Sequence, residues 1–247
     1  CHYVKASTAP IFAIVAWPGG VATGGRDGRV SLWPAEWPAT LEASLPPLRV
    51  YELREMVRGF ADTAGRPRSL AGSATPCVRA LACAGERLLV GTRGSEIFEL
   101  AFEQGLDLPT LTMLAQGHAA PRPPPVAEHA SARRPSEAVG GACILAQLAG
   151  ADALLVSAGA DKTLRVWSAE RKCMVGMRLI SCEAAAIAAA PDGSALALAL
   201  LDSSSTVAIL AVESLTDELV ISREGPSRVG ALGFSPNCAW AAVCRAA

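Results

Sequence analysis

The chain has 247 residues, is 51% hydrophobic and carries a formal net charge of −1. So apolar a composition excludes a disordered chain, and near neutrality leaves no electrostatic footprint for a nucleic acid partner. The one long apolar stretch, 184–201, is interrupted by Pro191-Asp192-Gly193, so no membrane span and no membrane partner is predicted.

Along the chain, "PIFAIVAW" (10–17) reads as a strand stopped by Pro18-Gly19-Gly20. A hairpin follows, turning at Asp27-Gly28 between apolar runs, a strong short-range hairpin signal. In its second strand Val30 and Leu32 face one way, Ser31 and Trp33 the other. This first unit spans 10–33. Residues 34–76 fit no strand unit and are read as an insertion. The next unit, 77–118, holds "CVRALACAG", "ERLLVG" and "SEIFEL" and closes on "LAQGH". A proline-rich surface loop is predicted over 119–138. A third unit, 139–173, places "ACILAQLAG" before "ADALLVS" and "ADKTLRVW". In a fourth, 182–212, "EAAAIAAA" favours helix by alanine propensity. The register of the other units makes it a strand. "SRVGALGFSPN" and "CAWAAV" begin a fifth unit within 226–247.

The units repeat. "TGGRDGRVSLW" (23–33) lies over "SAGADKTLRVW" (157–167) without a gap, placing Thr23 on Ser157, Asp27 on Asp161 and Trp33 on Trp167. Weaker copies put Gly94 and Asp202 in the aspartate slot and Leu100 in the tryptophan slot. Self-similarity of this kind is the mark of a repeat architecture. The first three slots stand 67 residues apart, against about 40–45 for a plain four-stranded repeat, and the two insertions account for the excess.

A small-x-x-x-Asp-x-x-apolar-x-apolar-Trp segment with a Gly-His before it resembles the WD repeat. The resemblance implies an all-β fold, a β-propeller of four-stranded blades, incomplete in this sequence at about four blades plus the start of a fifth. It also implies a structural hydrogen-bonded set of His118, Ser157, Asp161 and Trp167, with Asp27, Trp33 and Asp202 as repeat-equivalent structural positions. The ordered series "LLVGTRGSEIFEL", "LAQGH", "ADKTLRVW" and "AAAPDG", with "FSPN" opening the next blade, resembles the echinoderm microtubule-associated protein-like family. That likeness covers roughly residues 10–245. It implies a non-catalytic scaffold binding tubulin or microtubules, in the cytoplasm and cytoskeleton, the cilium included. Tubulin-contacting residues do not carry over, because the likeness lies in blade-forming positions. The alternative is a generic WD-repeat adaptor in another complex, such as ubiquitin ligation or trafficking.

Catalytic chemistry is not read. The three histidines, His2, His118 and His129, adjoin no nucleophile motif, and no GxSxG, HExxH or phosphate loop occurs. Aspartates at equivalent turns read as structural. No cofactor is predicted, and eight cysteines without a CxxC give no metal site. They read as buried free thiols, which favours a reducing compartment. The start at Cys1 rather than Met reads as a fragment, expected to be poorly soluble without its missing blades. Trp33 and Trp167 read as core, with Trp37 an alternative exposed contact. Arg49, Arg54, Arg58, Arg66 and Arg68 in the first insertion read as a solvated face or, alternatively, as a basic patch for an acidic partner.

Overall fold

Alternation along each predicted strand is realised as antiparallel pairing in the computed structural model. The structure describes residues 7–36, 46–57, 77–93, 96–103, 105–107, 109–116, 144–148, 154–159, 161–202, 204, 206–215, 217–221, 229–239 and 241–245. The first sheet is β1 (Ile11–Trp17), β2 (Gly20–Gly25), β3 (Arg29–Pro34) and β4 (Arg49–Glu52), followed by the short helix α1 (Leu53–Val57). The second is β5 (Val78–Ala84), β6 (Arg87–Thr92), β7 (Glu96–Ala101) and β8 (Thr110–Gln116). The third is β9 (Ile144–Leu148), β10 (Leu154–Ala158), β11 (Thr163–Ser168) and β12 (Cys173–Leu179). The fourth is β13 (Ala184–Ala189), β14 (Ala195–Leu200), β15 (Val207–Ala211) and β16 (Asp217–Ile221). The fifth pairs β17 (Val229–Phe234) with β18 (Ala241–Arg245).

Every sheet is an up-and-down meander of sequential neighbours. The first strands of successive sheets pack in chain order, β1 on β5, β5 on β9, β9 on β13 and β13 on β17. This is the blade arrangement of a β-propeller, and the all-β expectation holds. "EAAAIAAA" is strand: Ile187 lies opposite Leu198 in the β13–β14 ladder, against the helical preference of its alanines.

The core is divided among the seams between blades. Val30 and Leu32 of the first blade share one buried cluster with Val78, Leu81, Val90, Phe98 and Leu100 of the second. Ala80, Leu89 and Ile97 meet Leu155 of the third, with Trp167 packed against them. Val156, Leu164 and Val166 meet Ile187, Leu196 and Leu198 of the fourth. Ala186, Ala199 and Val207 meet Val229 of the fifth. Each blade thus buries a downstream face against the upstream face of its successor, as sheets with period-two alternation must.

Two expectations are corrected. The fourth strand of the first blade, Arg49–Glu52, comes from inside the segment read as an insertion. It pairs with β3, Tyr51 opposite Val30, and the Tyr51 hydroxyl donates to the Leu106 carbonyl at 2.6 Å. The cysteines are not uniformly buried. Among the described residues all six are free thiols, but Cys77 alone is buried, while Cys173 and Cys244 are exposed. Burial pushes the Cys77 thiol up, against the opposing pull of Arg79, Arg93 and Arg26. Since the thiolate is the reactive form, Cys173 and Cys244 are expected to take iodoacetamide first in the native protein. Cys77 is expected to label only on denaturation, read by peptide mass spectrometry at timed quenches.

Candidate functional site

The repeated aspartate corner is the most elaborate polar structure among the described residues. In the third blade it sits in the turn between β10 and β11. Asp161 Oδ1 accepts from the Thr163 amide at 3.2 Å and from its hydroxyl at 2.7 Å. Asp161 Oδ2 accepts from the Arg165 guanidinium at 2.9 Å, while Arg165 Nε donates to Thr163 Oγ1 at 3.0 Å. The pair is largely withdrawn from water, with side chains 15% and 11% exposed for Arg165 and Asp161. A charge so placed needs a partner. Lys162 takes a left-handed φ of 60° at the step where Gly28 of the first blade has 76°. The turn demands that conformation whether or not glycine supplies it.

Below this corner the Trp167 indole donates to Ser157 Oγ at 2.8 Å. Register explains the pairing: Ser157 lies opposite Arg165 and Leu155 opposite Trp167, so all four side chains lie on one face of the sheet. The structure thus brings Ser157 and Trp167 together, with Asp161 beside them through Arg165. His118 lies outside the described residues. Substituting Trp167 with Phe keeps the ring but removes the donor. The expected cost is about 1 kcal/mol, the net worth of one hydrogen bond, measured as a lowered urea midpoint at unchanged m.

The first blade repeats the motif with different side chains. Trp33 donates to Thr23 Oγ1 at 3.0 Å, and Asp27 Oδ1 accepts from the Arg29 amide at 3.2 Å. Asp27 Oδ2 accepts from Ser7 Oγ at 3.2 Å. In the second blade Thr92 Oγ1 donates to the buried Glu96 carboxylate, and Leu100 fills the tryptophan place, fully buried. Glu96 Oε1 has no hydrogen-bond partner. In the fourth blade Asp202 Oδ1 accepts from the Thr206 amide at 2.9 Å. Among the described residues no three metal-ligating side chains gather.

The aspartate corners hold hairpins shut through hydrogen-bonded carboxylates, which is a structural use of charge. Residues 145–168, which span this corner in the third blade, match the family model described as "WD domain, G-beta repeat". Among solved structures, a chain of the "Crystal Structure of Mitotic Checkpoint Complex" matches with a TM-score of 0.61 at 17% identity. The match covers 94% of this chain and 56% of that one. The fold is that of a WD-repeat β-propeller. This chain spans little more than half the length of the chain it matches, and identity at that level speaks to fold alone. A WD repeat on a propeller points to a protein-interaction scaffold. Among the described residues no helix is long and apolar enough to cross a membrane.

Arg49 of the supposed basic patch is paired with Asp107, with its neighbour Arg54 on α1. Arg58, Arg66, Arg68 and Trp37 lie outside the described residues. Trp17 packs at 6.0 Å from the Phe102 ring. Sequence reasoning passed over Arg165, which ties the third corner together. The signal was its place two residues before Trp167, facing the same way.

Proposed function

We propose that this chain is a non-catalytic protein-binding scaffold of a microtubule-associated protein, acting in the cytoplasm and on the cytoskeleton, the cilium included. The observation that carries the reading is the ordered series "LLVGTRGSEIFEL", "LAQGH", "ADKTLRVW" and "AAAPDG", whose described residues lie on the second, third and fourth blades. The propeller supports it physically. Its polar corners are occupied in holding hairpins, and in a fold of this kind loops on the scaffold carry the binding side chains. The test is co-sedimentation with taxol-stabilised microtubules. Saturable pelleting supports tubulin as the partner. A chain left in the supernatant, with no soluble tubulin retained on a pull-down, overturns it.

A second reading, an adaptor in another multiprotein complex, is favoured by the structural match, whose chain belongs to the "Mitotic Checkpoint Complex". Failure to pellet, combined with affinity capture of one stoichiometric non-tubulin partner, decides for this reading.

A further inference from the structure

The outer strand of the third blade is an open apolar edge. β12 ends its sheet, and among the described residues it pairs with β11 alone. No missing blade accounts for this. The blades on either side, packed on β9 through β5 and β13, each have four strands. The chain around β12 is described without a break over 161–202. Proteins blunt such edges with short strands, lysine or proline. β12 has seven residues, CMVGMRL, with neither lysine nor proline among them. Met174, Val175, Met177 and Leu179 are 45%, 47%, 53% and 73% exposed. Met174, Met177 and Leu179 lie opposite Trp167, Arg165 and Thr163, which makes them one apolar stripe on one face.

Main-chain groups are open along the same edge. The Ile180 amide donates to the Lys162 carbonyl at 2.9 Å. Bonded and non-bonded pairs alternate along an antiparallel ladder. Arg178 and Gly176 therefore turn their main-chain groups toward β11, and Met177 and Leu179 turn theirs outward. Positive charge stands at both ends. Arg171 and Lys172 mark the start of the strand and Lys162 lies beside its end, all three exposed. The one acid between 170 and 180 is Glu170. The Arg178 guanidinium donates to a neutral acceptor, the Leu215 carbonyl, at 2.7 Å.

We propose that β12 accepts a fifth strand from a protein partner, an extended segment that is apolar at alternate positions and acidic at both ends. Hydrogen bonds to the main chain of Met177 and Leu179 hold it, its apolar side chains cover the stripe, and its acidic ends meet the cations. A second copy of this chain is the poorer occupant. Antiparallel pairing about Gly176 would set Arg171 and Lys172 of one copy beside Lys162 of the other, cation against cation.

The inference rests on the scaffold reading and names one feature of the partner. The full chain is titrated by NMR with acetyl-Glu-Asp-Val-Thr-Val-Thr-Val-Glu-Asp-amide and with a counterpart whose acidic residues are lysines. Two further forms are N-methylated, one on the valine nitrogens and one on the threonine nitrogens. Saturable binding of the acidic peptide is expected, with the largest shifts at the Met177 and Leu179 amides. One N-methylated form should lose binding and the other keep it, because alternate amides of a strand face its neighbour. Lysine ends and Met177→Lys should each weaken binding on the order of tenfold. The melting temperature of Met177→Lys should not change, since the side chain is half exposed, so that lost binding is not lost folding. No binding of the acidic peptide, both N-methylated forms binding alike, lysine ends tolerated, or Met177→Lys binding undiminished overturns the strand addition. A concentration-dependent dimer in sedimentation velocity, lost in Met177→Lys, gives the edge to a second copy and also overturns it. A chain that pellets with microtubules but ignores the peptide refutes the strand addition and leaves the scaffold reading intact. One that binds the peptide but neither pellets nor retains tubulin does the reverse for the tubulin reading.

Discussion

Phe98→Ala is expected to remove about 3–5 kcal/mol of unfolding free energy, the usual cost of truncating a buried phenylalanine. Phe98 is 1% exposed and stands on β7 in the cluster that joins the first blade to the second, with Leu32, Val78, Val90 and Leu100. Two sheets close over it from opposite sides, and each is held by its own ladder of hydrogen bonds. Neither can settle into the vacated volume without breaking register, so the cavity persists and adds to the lost transfer energy. The check is equilibrium urea denaturation. A loss below about 1 kcal/mol would mean that the seam relaxes freely, and the division of the core along seams would be wrong.

Asp161→Ala is expected to cost about 3 kcal/mol, at the lower edge of the range for breaking a buried ion pair because both partners keep some contact with water. The change strips Arg165 of its carboxylate and the Thr163 amide and hydroxyl of their acceptor. Most of the loss comes from the guanidinium left 15% exposed without a counter-charge. The double variant Asp161→Ala/Arg165→Met should therefore be more stable than Asp161→Ala alone. If the second substitution adds its own loss instead, the arginine is not the stranded group. Asp27→Ala provides the contrast. Its carboxylate holds only the Ser7 hydroxyl and the Arg29 amide among the bonds described, and the expected loss is about 1 kcal/mol.

Much of the fold was legible in the sequence because repetition amplifies weak local signals. Asp27-Gly28 and Asp161-Lys162 each mark a turn, and the overlay of Thr23 on Ser157 and Trp33 on Trp167 fixes the facing of every residue between them. That register also settled "EAAAIAAA" as strand, where alanine propensity alone points to helix. Arg49–Glu52 was not legible. It is four residues long, follows Pro46 and Pro47, and has no repeat copy to align with. Its strand identity comes from the free edge of β3, a tertiary cause. The polar corner was readable as a set of residue types, whereas its arginine was not. That is a relation between blades, since arginine stands opposite Ser157 in one and serine opposite Thr23 in another, and no single segment displays it.

The seams bear on how the molecule is made. Val30 and Leu32 share their buried cluster with Val78, Phe98 and Leu100 of the next blade, so a nascent chain that has released only its first blade from the ribosome lacks most of the cover for that face. Folding during synthesis must trail translation by one blade, with the next blade acting as template for the last. The window in which an apolar sheet face stands open lengthens with whatever lies between two blades. The longest such stretch is 117–143, between β8 and β9, slightly longer than 53–77, between β4 and β5, so the second blade's wait is the one in which a chaperone has most to protect.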